Sequence, residues 1–481
     1  MQKGKSSFLQ NASVLMLGTA FGQAFILAVT PFLARLYSPS AFGEFALFVS
    51  VFSIVNIVAS MRYELGIPLT KGDHFALLIV ILSLSIITIL TLLLFVFSSS
   101  LQLILQLLTE QEISIIFVIT IILSITVASA YRVISMLAFR TYNFRAVGIA
   151  RAFQGLGLGV TQLFLGVLGN VKYGLIFGHF VGFSLSLAVL LLAFLKSLKA
   201  AIKRVNFKRL GVVAIRYRKF PLYSVWSDML NVLGYQIPTL VLLYFYSPVE
   251  AGLYFLAMKL SNAPVSVVSE VVSKTFYAMS AKPQNREMLS KFSGDFYHCC
   301  FRFVFGPVIC LIPFCDLLFS TLFGKSWEVS GTYFQVLLIA SMSIFVNTPF
   351  LTLFHTTGSQ QKEFFCQVII LLCRLFPITI FSAIGSAYSS IFAYSVFTAA
   401  SYFIAALWAL STAKVNIGNL IKRMLFDAMW TMICLVFIYG LVTQSNAWCL
   451  SIASCLFLMV CSFSIVSAIK MMRVCTRDLV S

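Results

Sequence analysis

Fourteen runs of mostly apolar residues follow one another along the chain. They lie near residues 8–34, 42–68, 75–98, 113–139, 147–168, 173–195, 220–246, 249–277, 295–319, 329–355, 364–384, 388–413, 425–443 and 447–469. A run of about 20 such residues is long enough to cross the hydrocarbon core of a bilayer as a helix. No water is available there to satisfy backbone N–H and C=O groups, and a helix bonds all of them internally. The chain is 60% hydrophobic and only 10% charged, whereas a soluble domain is about a quarter charged. The expected fold class is therefore an all-α integral membrane protein with about 14 transmembrane helices.

A net charge of +19 would point to nucleic acid in a soluble protein. Here the cations have another explanation, because they crowd onto alternate connections between the apolar runs. Nine fall between Lys196 and Lys219, with no acid among them, whereas the opposite set of connections carries only Arg35, Lys172 and Lys325. The positive-inside rule assigns the basic connections, and with them both termini, to the cytoplasm. No nucleic-acid partner is needed. Lys3 and Lys5 precede an apolar run that continues to Leu33, too long for a signal peptide and suited to an uncleaved first span.

Several chemistries are absent. The eleven cysteines, all from Cys299 onward, are scattered through apolar runs without metal-ligand spacing and read as small buried hydrophobes. No phosphate-binding glycine loop, zinc-protease motif or nucleophile elbow occurs. Neither an enzyme nor a cofactor is expected. The outer connections are short, the longest running from about Ser98 to Glu112. This argues against a polyprenyl-linked glycan polymerase, which would need a large outer loop.

An internal repeat divides the chain. Tyr37-Ser38-Pro39 followed by Gly43, between the first two runs, recurs 209 residues later as Tyr246-Ser247-Pro248 followed by Gly252, between the seventh and eighth. Each copy reads as a tight turn that opens a helix. Six spans per copy predict two parallel lobes, 1–195 and 220–413, related by a pseudo-two-fold axis along the membrane normal. The basic stretch 196–219 links them, and 414–481 adds two helices and a tail. Ile202, Val205 and Val212 or Val213 give that linker a narrow apolar stripe, so part of it is expected to lie as an amphipathic helix on anionic lipid. Gly155, Gly157 and Gly159 in the fifth span, with Gly178 and Gly182 in the sixth, predict close helix packing. Pro238, Pro264, Pro307, Pro313, Pro349 and Pro377 predict kinks in the second half.

Function is expected where charge enters the membrane. Arg62, Arg132, Lys259, Lys274, Arg302 and Arg374 fall inside spans, against Glu64, Asp228 and Glu270. On insertion scales each such charge near mid-bilayer costs about 2.5–3.5 kcal/mol, so it is retained for pairing or function. Lys259 and Arg374 lie deepest. Arg132, Arg302, Asp228 and Glu270 lie in the cytoplasmic half, and Arg62, Glu64 and Lys274 lie near the boundary as helix-end charges. A cationic cavity suits a pyrophosphate, because Arg and Lys replace its hydration with charge-assisted bonds. The candidate substrate-binding residues are Lys259, Arg374, Arg132, Arg302 and Arg62. Asp228, Glu270, His179 and Glu64 are candidates for ion coupling, to a proton or Na+.

Leu33-Ala34-Arg35-Leu36-Tyr37-Ser38-Pro39 through Phe42-Gly43, then Met61-Arg62-Tyr63-Glu64-Leu65, resembles the opening of bacterial Wzx-type O-antigen and polysaccharide flippases. These belong to the multidrug/oligosaccharidyl-lipid/polysaccharide (MOP) exporter superfamily. Leu322-Phe323-Gly324-Lys325-Ser326-Trp327 is similar to the second-half outer turn of the same family. The resemblance implies two six-span lobes plus two helices, and movement of undecaprenyl-pyrophosphate-linked oligosaccharide across the inner membrane by alternating access. It also implies lipid contacts and, as further partners, a polysaccharide polymerase and a chain-length regulator. The alternatives are a multidrug or small-molecule antiporter of the same superfamily, a glycan polymerase, and a non-transporting scaffold.

Overall fold

A computed structural model describes residues 2–70, 72–109, 112–169, 173–202, 207–280, 286–356, 359–444 and 446–480. Among them there is no strand, and fourteen helices reach 20 residues or more. They are α1 (Gln2–Leu36), α2 (Pro39–Val58), α3 (Asp73–Val96), α4 (Ile115–Arg140), α5 (Phe144–Val167), α6 (Gly174–Ile202) and α7 (Val225–Phe245). There follow α8 (Pro248–Ser280), α9 (Arg286–Leu311), α10 (Glu328–Leu351), α11 (Gln360–Ile384), α12 (Ala387–Thr412), α13 (Ile417–Thr443) and α14 (Ala447–Val480). Each coincides with one of the apolar runs. Eleven are long and apolar enough to cross a membrane by length and composition. The other three, α5, α7 and α8, carry polar side chains such as Gln162, Asp228 and Lys259.

Three expectations change at the ends of runs. The second run was expected to continue to residue 68, but α2 stops at Val58 because Met61 and Arg62 adopt positive φ, 51° and 58°. A 3-10 helix, Tyr63–Leu69, follows. The outer connection from Ser98 contains a helix, Ser98–Thr109, with Gln102 Nε2 and Gln106 Nε2 both donating to the Ile113 carbonyl. The ninth run breaks at Pro313, where a 3-10 turn, Ile312–Phe314, separates α9 from a short helix, Cys315–Leu322.

The chain forms two compact units, Met1–Gly252 and Leu253–Ser481. In the first, α5 packs between α1 and α6, and α4 packs against α2, α3 and α6. The glycines permit this. A Cβ on Gly155 would lie 2.6 Å from the Gly22 Cα, and one on Gly182 would lie 2.8 Å from the Gln154 carbonyl oxygen. In the second unit α12 packs on α10 and α11, while α13 and α14 pack on α9. Its core is aromatic, around Phe276, Tyr297, Phe350 and Phe354. Large apolar side chains left exposed, among them Val167, Ile384, Phe437 and Trp448, suit a surface bathed in lipid.

The two repeat copies adopt the same structure, and both lie within the first unit. Ser38 accepts from the Ala41 N–H and Ser247 from the Glu250 N–H, each at 3.3 Å. They pack reciprocally: a Cβ on Gly43 would collide with the Pro248 carbonyl, and one on Gly252 with the Pro39 carbonyl. Tyr37 fastens the first copy to α5 by donating to the Gln162 carbonyl, at 2.7 Å. Burial pushes this phenol up to about 12, so it stays a donor at neutral pH.

Substituting Gly155→Val should force α1 from α5 at an overpacking cost of about 1–3 kcal/mol. Gly211→Ala meets nothing within 4 Å and should be silent. Thermal unfolding in detergent micelles measures both.

Candidate functional site

Two consecutive residues with positive φ are costly for side chains other than glycine, roughly 1–3 kcal/mol each. The strained turn after α2 holds Arg62 and Glu64 together against α4 and α7. Glu64 has no exposed surface. Its Oε1 lies 3.1 Å from Arg132 Nε on α4 and 3.6 Å from Arg62 Nη1, while its Oε2 accepts from the Ser60 hydroxyl at 2.6 Å. Arg62 Nε also meets Asp228 Oδ2 on α7 at 2.8 Å. Arg132 Nη2 donates to the Asn56 carbonyl and to Asn56 Oδ1, and Ser129 donates to the same Oδ1 at 2.6 Å.

Two arginines thus alternate with two carboxylates in one cluster. Each charge is matched, as burial away from water demands. The members differ in exposure: Glu64 is 0% exposed, Arg62 and Arg132 are 16% and 18%, and Asp228 is 38%. Glu64 is the fixed centre. Asp228 is the most exposed end.

The other predicted residues are placed separately. Arg374 on α11 is buried; its Nη2 donates to the Tyr402 hydroxyl at 3.2 Å, and its guanidinium lies 5.2 Å from that ring's centre. Lys259 is partly buried on α8. Arg302 on α9 stacks over Phe463 at 5.0 Å and lies 3.9 Å from Asp427, which also pairs with His298 at 2.8 Å. His179 is enclosed by Phe45, Phe48, Phe52 and Phe183, the nearest ring centre at 4.6 Å. The side chains of Glu270 and Lys274 lie outside the described residues.

Sequence reasoning placed Arg62, Arg132, Glu64 and Asp228 within spans; Arg132 lies in α4 and Asp228 in α7, whereas Arg62 and Glu64 lie beyond the end of α2 and had been read as helix-end charges. The burial of Glu64 corrects that: the strained turn folds it inward. Asn56, Ser60, Ser129, His298 and Asp427 were missed. Asp427 carried a readable signal, an acid inside the thirteenth apolar run. Asn56 and Ser129 carried none, being ordinary small polar residues in helices.

A family model described as polysaccharide biosynthesis protein matches residues 32–331. No curated protein matches the chain. Among solved structures the chain is similar to the lipid II flippase MurJ in an inward closed conformation, with a TM-score of 0.71 and 15% identity over 97% of this chain and 99% of that one. It is also similar to an inward-facing multidrug resistance MATE family transporter of the MOP superfamily, with a TM-score of 0.58 and 14% identity over 85% of this chain and 99% of that one. A MOP superfamily transporter from Pyrococcus furiosus gives a TM-score of 0.55 and 12% identity, over 85% and 96%. At 12–15% identity these likenesses are ones of fold.

Replacing Glu64 by Gln removes the carboxylate partner of Arg132 and one of the two held by Arg62, and should destabilise the first unit by roughly 3–5 kcal/mol. Asp228→Asn, at the exposed end, should cost no more than about 1 kcal/mol. Unfolding of each purified variant in one detergent checks the contrast.

Proposed function

The chain belongs to the polysaccharide biosynthesis protein family, and from that premise we propose that it is a flippase for undecaprenyl-pyrophosphate-linked oligosaccharide, a surface-polysaccharide repeat unit such as O-antigen. In this reading it works by alternating access in a bacterial inner membrane, with both termini cytoplasmic, and hands its product to a polymerase and a chain-length regulator. Two six-helix lobes, 1–195 and 220–413, are the moving parts, with 196–219 as their tether and 414–481 as an added helix pair. Support for a lipid-linked substrate over a drug comes from the extent of the likeness: the lipid II flippase aligns with 97% of the chain, the MATE transporters with about 85%.

The observation that carries the reading is the graded exposure of the Arg62–Glu64–Arg132–Asp228 cluster. A diphosphate bears more charge and more acceptor oxygens than one carboxylate, so it competes with Asp228 for Arg62. Arg132 stays anchored by Glu64 and Asn56 and keeps the cluster assembled. Once displaced, Asp228 has lost its countercharge and is left to pair with a coupling cation instead. Binding of substrate is thereby linked to uptake of a proton, the coupling ion in this reading. Glu64, held by two arginines, acts as the fixed countercharge. Lys259 and Arg374, with Arg302, are the second unit's own candidate contacts for an anionic headgroup.

Arg62→Ala removes a charged bond whose strength corresponds to roughly a 10–100-fold loss of transport. Flipping of a polyprenyl-diphosphate oligosaccharide by purified protein in vesicles measures it, and full activity in that variant defeats the exchange scheme. Asp228→Asn is expected to leave residual transport that no longer responds to a proton gradient. Lys259→Ala should abolish surface polysaccharide while the protein still inserts. Drug efflux without any effect on polysaccharide would favour the antiporter reading.

A further inference from the structure

The basic stretch before α7 takes no part in the exchange described above, yet its structure has two distinct faces. From Phe207 to Arg216 it is helical, and a π-helical turn, Phe220–Ser224, leads directly into α7. One face is built into the first unit. Val213 is 1% exposed within the core around Ile67, Ile79 and Val133, and Ala214 accepts a hydrogen bond from the Tyr63 hydroxyl at 3.3 Å. Tyr217 and Phe220 close over Gly66, where a Cβ would meet them at 3.0 and 3.3 Å. The expected apolar stripe had Val212 or Val213 as its alternatives. Val213 faces the protein, Val212 faces outward, and Val205 and the Ile202 side chain lie outside the described residues.

The outward face combines two properties that exclude most surroundings. Val212, Ile215, Tyr223 and Trp226 are 63%, 68%, 71% and 65% exposed. Arg216, Arg218 and Lys219 between them are exposed too, and no acid occurs from Lys196 to Ser227. Water disfavours so large an apolar patch, and the hydrocarbon core disfavours three cations. The headgroup layer satisfies both, since Trp and Tyr rings settle there and Arg and Lys bind its phosphates. The stretch joins one helix of membrane-crossing length, α6, to α7, which puts it at that level.

We propose that the face formed by Val212, Ile215, Tyr223 and Trp226 with Arg216, Arg218 and Lys219 is a seat for anionic phospholipid headgroups, and that its occupancy positions Asp228 against Arg62. The connection is short. Trp226 and Asp228 share the first turn of α7, and the turn before it is wedged against the 3-10 helix that carries Glu64. A lipid holding the exposed side holds the register of the cluster. The occupant is a negatively charged bilayer surface, because the face has cations and interfacial aromatics, while the adjoining acid, Asp228, is already paired with Arg62.

The full-length protein in vesicles of phosphatidylcholine mixed with phosphatidylglycerol provides the test, with bromine on the acyl chains of one lipid at a time. The Trp226 signal is the fluorescence lost in Trp226→Phe. Brominated phosphatidylglycerol should quench it beyond its share of the mixture. Converting Arg216, Arg218 and Lys219 to Gln, all on the exposed face, should reduce that preference about fivefold per cation removed. Quenching that follows bulk composition, a preference that survives the three substitutions, or a Trp226 that neither lipid reaches because a protein covers the face, would each overturn the seat. Transport in the same vesicles should fall when phosphatidylglycerol is omitted; transport indifferent to it overturns the link to Asp228. That arm rests on the flippase reading, whereas the quenching does not, so a protein that moves no substrate but selects the anionic lipid refutes the one and sustains the other.

Discussion

A carboxylate with no exposed surface must be matched by positive charge, and in this protein that requirement falls on Glu64. Its partners come from two elements: Arg62 from the strained turn that follows α2, and Arg132 from the middle of α4. Arg132 in turn fixes Asn56 on α2, and Arg62 reaches Asp228 on α7. One buried charge therefore sets the relation of three helices and a turn. The positive φ values at Met61 and Arg62 are the conformational cost of bringing Glu64 inward, and the pairs it makes there offset that cost.

The same principle appears in the second unit with different partners. Arg374 is buried against Tyr402, and Arg302 lies between Asp427 and the Phe463 ring. Asp427 belongs to α13 and Phe463 to α14, so one arginine on α9 touches both added helices. Where no ion pair is present, close approach takes over. Glycines on α1, α5 and α6 bring backbones together, because lipid offers no hydrophobic gain for helix association and dispersion contacts must supply it.

The repeat gives the first unit its second fixed point. Two Tyr-Ser-Pro turns cap their helices in the same way, and each places a glycine against the other's proline carbonyl. Only a residue without a Cβ fits at Gly43 and Gly252, so a spacing visible as a sequence coincidence is also a packing requirement. The basic stretch gains meaning in the same way. It is a charged linker by composition, but its buried Val213 and its wedged Tyr217 make half of it part of the fold.

The sequence by itself determined that the chain is helical, where its long helices run and their apolar character, because run length against bilayer thickness and a chain-wide deficit of charge depend on no partner. It also determined which ionisable residues enter the apolar runs, and it marked the glycines that allow close packing. Only the tertiary structure decided which charges meet. Glu64, Arg132 and Asp228 are separated by scores of residues, and a turn with positive φ, invisible in a Met-Arg pair, brings them to one place. It likewise decided that Val213 faces the core and Val212 the outside, since neighbouring positions on a short helix with two apolar faces differ only in what packs against them.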